Sequence, residues 1–304
     1  MLSRTASNLY WMTRYLERAE STARLLAACF QPGMPFDGEI KKLYSLPLQI
    51  QGVYQEFVDS FNGAEVDVSI ESVCKFLISS NSQSSVKTCL EYARENARSE
   101  LSRLSSDVWE AMNQTWIEFK EVQDKPLNIF TEWLQQRAYL FQGAVNISMP
   151  ETLSRHFLRL GAFLERADQT LRVLEAKVVL ESLSNQSDYY HWHMLLRTVS
   201  SFEAYQETVL ENPSQEQVFK FLLFNKYVPR SVRYCVERVE QLLGVIQAEN
   251  RRGALKVCAK LLMKLKFDDF SDISIIGQEE YIQTLQDEMS SLTTAIQEGC
   301  FVIT

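Results

Sequence analysis

The chain has 304 residues, with 31 Lys and Arg against 39 Asp and Glu and a formal net charge of −8. That balance disfavours a general binder of nucleic-acid backbones, which are held by basic surface. Hydrophobic residues make up 46% and Gly and Pro together number only 17, so the composition excludes a disordered chain and points to long helices with few breaks. The length suits about two domains of roughly 150 residues.

In chain order, the first thirty residues place Leu9, Met12, Leu16, Ala19, Ala23 and Leu26 at alternating spacings of three and four, one stripe of a helix. Pro32-Gly-Met-Pro35 is expected to end it. The same period runs through residues 43–61 and 73–77, then through 84–122, a stretch without Gly or Pro. As one helix that stretch would extend about 58 Å, so it is expected to kink or project. Pro126, Pro150, Pro213 and Pro229 stand near expected helix starts, where a missing N–H costs nothing. No run alternates β-branched and polar residues between turn dipeptides, and the reading is an all-α bundle of about ten helices. No apolar run approaches the ~18 residues of a membrane span. Residues 1–4 lead straight into a charged amphipathic segment without the apolar region of a signal peptide, so a soluble, cytoplasmic protein away from membranes is expected.

An internal repeat is visible. Tyr15-Leu-Glu-Arg-Ala-Glu-Ser-Thr-Ala-Arg-Leu-Leu26 matches Phe163-Leu-Glu-Arg-Ala-Asp-Gln-Thr-Leu-Arg-Val-Leu174 at an offset of 148, with seven identities in twelve positions. Val73-Cys-Lys-Phe-Leu-Ile78 matches Val218-Phe-Lys-Phe-Leu-Leu223 at 145, and Ser85-Val-Lys-Thr-Cys-Leu-Glu91 matches Ser231-Val-Arg-Tyr-Cys-Val-Glu237 at 146. Three collinear matches at nearly one offset predict two similar helical halves, 1–148 and 149–304, packed as one body and related by a pseudo-twofold axis.

Glu17, Glu20 and Arg24 share a helix face, as do Glu165, Asp168 and Arg172, with Arg14 and Arg18 on the neighbouring stripe. Glu20 with Arg24 and Asp168 with Arg172 read equally as ordinary i,i+4 pairs on solvated faces. If the motif is buried, its charges must be paired, and it is then either a clamp between helices or a polar ligand site. A second cluster, Glu91, Arg94, Glu95, Asn96 and Arg98, reads as a salt-bridged helix face or as an anion site. At an offset of 146, Glu240 and Gly244 stand in place of Arg94 and Arg98, so the second half lacks this cluster. Arg230 and Arg233, after Pro229, form a weaker anion candidate.

Standard catalytic signals are missing: there is no Gly-rich phosphate loop, no HExxH and no GxSxG. The histidines His156, His191 and His193 do not follow a Glu by three, and the six scattered cysteines read as reduced, mostly buried thiols. Neither a metal nor a cofactor is expected. Glu17 and Glu20 could ligate a metal only against the competition of the adjacent arginines.

The opening residues 2–26, Ala93-Arg-Glu-Asn-Ala-Arg98, Val108-Trp-Glu-Ala-Met-Asn113, Leu164-Glu-Arg-Ala-Asp168 and Pro229-Arg-Ser-Val-Arg233 together resemble the bacterial alpha-E family across essentially the whole chain. Residues 142–150 follow the family pattern less closely. The resemblance implies an all-helical protein with a characteristic Glu-Arg motif. It also implies an association with circularly permuted ATP-grasp proteins and transglutaminase-like peptidases, a system that makes or trims peptide or amide bonds. The motif positions carried over are Arg4, Arg14, Glu17, Arg18, Glu20, Arg24, Arg94, Glu95, Asn96, Arg98, Glu165, Arg166, Arg230 and Arg233. The expectation is an accessory protein that binds the ligase or its anionic peptide-like substrate, with both Glu-Arg motifs facing one cleft. Two alternatives stand beside it: an enzyme with a Glu general base and Arg anion stabilisers, and a purely structural interaction protein.

Overall fold

The computed structural model describes residues 1–31, 40–183, 188–246 and 251–301. Every regular element among them is helical. There are fifteen α-helices, eleven of ten residues or more and four of five to seven. The first half of the chain forms α1 (Ser3–Cys29), α2 (Ile40–Ile50), α3 (Tyr54–Asp59), α4 (Ile70–Ser79), α5 (Val86–Ser99), α6 (Ser106–Val122) and α7 (Leu127–Ser148). The remainder forms α8 (Leu153–Leu183), α9 (Asp188–Thr198), α10 (Phe202–Thr208), α11 (Gln215–Phe219), α12 (Val232–Val245), α13 (Arg251–Phe267), α14 (Phe270–Ile276) and α15 (Gln278–Cys300). A five-residue π segment, Lys220–Phe224, continues α11.

The apolar stripe expected on α1 is its core face: Leu9, Met12, Leu16, Ala19, Ala23 and Leu26 are all buried. The helix closes at Phe30, whose N–H bonds to the Leu26 carbonyl, and Pro32-Gly-Met-Pro35 lies outside the described residues. The stretch 84–122 is not one helix. It divides into α5 and α6 around a short 3-10 turn at Leu101–Arg103, and the two helices fold back against each other. Serine makes the break without help from Gly or Pro. The Ser105 hydroxyl accepts the Val108 N–H and so satisfies an orphan donor of the first turn of α6. Ser85 and Ser231 cap α5 and α12 in the same way, each three residues before the N–H it accepts. Pro126 is the N-cap of α7, while Pro150, Pro213 and Pro229 stand two to three residues ahead of α8, α11 and α12. Pro47, by contrast, lies inside α2.

α1 and α8 form the centre and run side by side in the same direction. Thr13 meets Leu158, Glu17 meets Arg166, and Leu25 lies near Val173, so contacting residues advance together along both helices. Gly161 permits this approach. A Cβ there would lie 2.2 Å from the Tyr10 carbonyl oxygen and 2.5 Å from the Thr13 hydroxyl. Thr13 bonds to the carbonyls of both Tyr10, at 3.1 Å, and Leu158, at 2.7 Å. Around this pair, α1 joins α5, α6 and α7 in a four-helix ring, and α8 joins α12, α13 and α15 in another. α2 also touches α8, and α9 touches α1.

Candidate functional site

The side-by-side run of α1 and α8 brings the two Glu-Arg motifs together, and each motif's arginine binds the other motif's glutamate. Arg18 donates from Nε to Glu165 Oε1 at 2.8 Å and from Nη2 to Oε2 at 3.1 Å. Arg166 donates from Nε to Glu17 Oε2 at 2.9 Å and from Nη2 to Oε1 at 2.6 Å. Both pairs are two-point fork contacts, the geometry in which a guanidinium binds a carboxylate most strongly. The glutamates are buried, Glu17 at 3% and Glu165 at 0% exposure, so their charges rely on these donors instead of water.

The two sites are not equal. Glu165 also accepts Arg14 Nε at 2.7 Å and the Gln169 amide at 3.1 Å, and Arg14 in turn donates to the Tyr10 hydroxyl at 3.0 Å. Burial alone would raise the Glu165 carboxyl, but the Arg14 and Arg18 guanidinium groups outweigh it and hold it down to about 2. Glu17 has one guanidinium partner in Arg166 and one neutral donor, the Gln142 amide of α7 at 2.6 Å. A third buried carboxylate, Glu20, lies a turn further along α1. It takes Arg24 of its own helix and Arg230, which donates from Nη2 at 3.0 Å and comes from the segment before α12. Burial raises that carboxyl as well, and Arg230 and Arg24 turn the net shift downward. Arg24 also reaches the Tyr139 hydroxyl at 3.1 Å.

A cleft of about 250 Å³ opens over the Glu17 side. Its lining includes Leu16 and Glu17 of α1, Phe141, Gln142 and Val145 of α7, and Arg159, Ala162, Phe163 and Arg166 of α8, with Pro229 and Tyr234 at the start of α12. Glu165 and Arg18 do not line it, so the expectation that both motifs face one cleft is met by only half of the constellation. Chemically, the cleft offers two guanidinium groups, one buried carboxylate and an aromatic wall. Glu165 and Glu20 are held ionised by arginines, the opposite of the raised carboxyl that a general base near neutral pH requires.

The other expected site residues lie apart from this constellation. Arg4 is exposed in the first turn of α1. Arg94 and Arg98 grip their own neighbour Glu95, at 3.0 and 2.9 Å, and Arg94 also donates to Asn113 of α6 at 2.8 Å, so on α5 the carboxylate between the two arginines is the protein's own. Asn96 is half-buried on the same helix. Arg233 bonds to Glu237 at 3.1 Å, an i,i+4 pair within α12. The reading of Asp168 with Arg172 as a solvated pair holds, with side chains 22% and 38% exposed, whereas Glu20 and Arg24 are buried at 1% and 4%. Cys89 and Cys235, at equivalent positions of the expected repeat, lie buried with thiols that desolvation pushes up to about 12, which leaves them protonated and poor nucleophiles at neutral pH. Sequence reasoning missed Gln142, Gln169, Tyr10 and Tyr139, neutral groups that a search for charge passes over. Gln169 and Tyr10 carried a local signal, standing four residues after Glu165 and four before Arg14.

Fold and site together define an all-helical protein organised around two mutually bound Glu-Arg motifs. Residues 1–301 match the Alpha-E family, described as a predicted alpha-helical domain with a conserved ER motif, and the chain belongs to that family. Among curated proteins and solved structures no match is found. No helix among the described residues is long and apolar enough to cross a membrane.

Proposed function

We propose that this protein is a binding component of a peptide or amide ligation system, in which an ATP-grasp ligase and a transglutaminase-like peptidase are its partners, and that the Glu17–Arg166 cleft receives a peptide-like ligand bearing a carboxylate. One observation carries the reading: of two otherwise matched Glu-Arg sites, one is filled by the protein's own Arg14 and the other is open. The open site presents Arg166, whose guanidinium has N–H groups beyond the two given to Glu17, and Arg159, whose nearest carboxylate oxygen, on Glu151, is 3.8 Å away. Both are suited to a carboxylate. The volume fits a group of side-chain size, below the roughly 300–1,000 Å³ of pockets for larger ligands.

The closed Glu165 site then serves as the clamp that fixes α1 against α8, and the open Glu17 site as the receptor. We read the architecture as a duplicated helical unit. Support comes from the helix spans: Val86–Ser99 and Val232–Val245, each capped at both ends by described residues, are equal in length at an offset of 146. The test is co-purification of the tagged wild-type protein and an Arg159→Ala variant from the native cell, with folding checked by circular dichroism. Recovery of an ATP-grasp or transglutaminase-like partner with wild type, and its reduction in the folded variant, is the expected result. Recovery of neither partner by wild type contradicts the proposal.

A further inference from the structure

One position beside the cleft sets the two Glu-Arg sites apart. Counted at the offset of the repeat, 148, Ala162 of α8 stands where Arg14 stands on α1. Arg14 fills its side of the helix pair, giving Nε to Glu165 and lying 5.6 Å from the Tyr10 ring centroid and 5.1 Å from that of Trp11. Ala162 has no such side chain, and the space beside it is the cleft. The hydrogen-bond count differs accordingly. A carboxylate offers about four acceptor positions. Glu165 fills all four, with Arg14, both contacts of Arg18 and the Gln169 amide. Glu17 fills three, with both contacts of Arg166 and the Gln142 amide. Glu165 therefore carries two guanidinium groups and Glu17 carries one.

From this we infer that the inner end of the cleft takes a cationic nitrogen of the ligand, a guanidinium or ammonium group, which binds Glu17 in the place left open by Ala162. The inference rests on the proposed binding role of the cleft and names the ligand class for it: a basic amino acid or a peptide ending in one, with its nitrogen on Glu17 and its carboxylate on Arg159. The walls match such a group. Phe141, Phe163 and Tyr234 line the cleft and suit the aliphatic stem of such a group, while Phe163 already faces Arg159 and Arg166, and Tyr234 faces Arg238. Arg159 Cζ lies 5.9 Å from the Phe163 ring centroid and is 34% exposed, on the open side of the cleft where a carboxylate would arrive.

The experiment is isothermal titration of the full chain with three probes: L-arginine, which has both groups; agmatine, which has the guanidinium without the carboxylate; and glutarate, which has only carboxylates. L-arginine is expected to bind most tightly, agmatine more weakly, and glutarate weakest. In Ala162→Arg the protein's own guanidinium occupies the site, so binding of L-arginine falls about tenfold or more while Tm rises. Ala162→Leu fills the same space without charge, and its Tm is expected to stay below that of Ala162→Arg. In Arg159→Ala, affinity for L-arginine falls to that for agmatine, and agmatine binding is unchanged. Glutarate binding with agmatine silent overturns the inference and leaves the anion-binding role of the cleft standing. Silence towards all three probes overturns both. Equal stabilisation by Leu and Arg at position 162 overturns the vacant-cation argument, and if Ala162→Arg fails to fold, the contrast between L-arginine and agmatine in Arg159→Ala decides it.

Discussion

Replacing Glu165 with Gln keeps the shape of the side chain and removes the charge on which two arginines converge. The carboxylate is fully buried and accepts four hydrogen bonds between 2.7 and 3.1 Å. The consequences for its two partners differ. The Arg18 side chain is 22% exposed and can turn to water, but that of Arg14 is 8% exposed and would keep no anionic partner, only neutral ones: the new amide's oxygen, the Tyr10 hydroxyl and the ring faces of Tyr10 and Trp11. A buried charge stripped of its partner costs about 3–5 kcal/mol. For a chain of this size each kcal/mol lowers Tm by roughly 2 °C, so a drop of about 6–10 °C is expected. Calorimetry together with denaturant titration followed by circular dichroism measures it. Adding Arg14→Met to Glu165→Gln removes the stranded cation and should restore part of the loss. A Glu165→Gln protein within about 1 kcal/mol of wild type would refute the reasoning, because it would mean that Arg14 does not depend on this carboxylate.

The same site sets an acid limit. The folded Glu165 carboxyl is held down to about 2, below its ordinary value near 4.5, so its contribution is complete above about pH 4.5 and is lost as pH falls towards 2. That loss is on the order of 3 kcal/mol, and Glu165→Gln should flatten the stability profile in that window. Gly161→Ala places a Cβ 2.2 Å from the Tyr10 carbonyl and should destabilise by at least about 2 kcal/mol, despite the better helix propensity of Ala. Gly244→Ala, on exposed helix with nothing within 4 Å of the new methyl, should instead gain up to about 1 kcal/mol; denaturant midpoints read both. Glu20→Gln should cost several kcal/mol by stranding Arg24 and Arg230, while Asp168→Asn at the half-exposed counterpart should stay within about 1 kcal/mol, a contrast that thermal unfolding of the two variants measures.

The sequence made the helical class legible because the period of its apolar residues is a backbone property, and the stripe on α1 is buried as written. The repetition of Leu-Glu-Arg-Ala singled out the residues that meet at the centre for the same reason, since a motif that recurs while its surroundings drift is under a constraint that solvated pairs do not share. What the pattern did not contain was pairing. Glu17 has Arg18 beside it in the chain and binds Arg166 instead, because neighbours on a helix point about 100° apart and only the facing helix brings a guanidinium square onto the carboxylate. The break between α5 and α6 was hidden because a serine cap ends a helical run without any of the residues that break helices by themselves. The cleft was hidden for a further reason: its lining comes from α1, α7, α8 and the start of α12, which no local pattern in the sequence brings together.

Reciprocal exchange between the motifs is tested most directly by two double-mutant cycles on thermal and denaturant stability, one pairing Glu17→Gln with Arg166→Met and the other pairing Glu17→Gln with Arg18→Met. Partners in direct contact couple by about 0.5–3 kcal/mol, and residues that share no partner add to within about 0.5 kcal/mol. The fork contact of Glu17 and Arg166 predicts coupling of at least about 1.5 kcal/mol in the first cycle and near-additivity in the second. Coupling of Glu17 to its chain neighbour Arg18, with additivity towards Arg166, would contradict it.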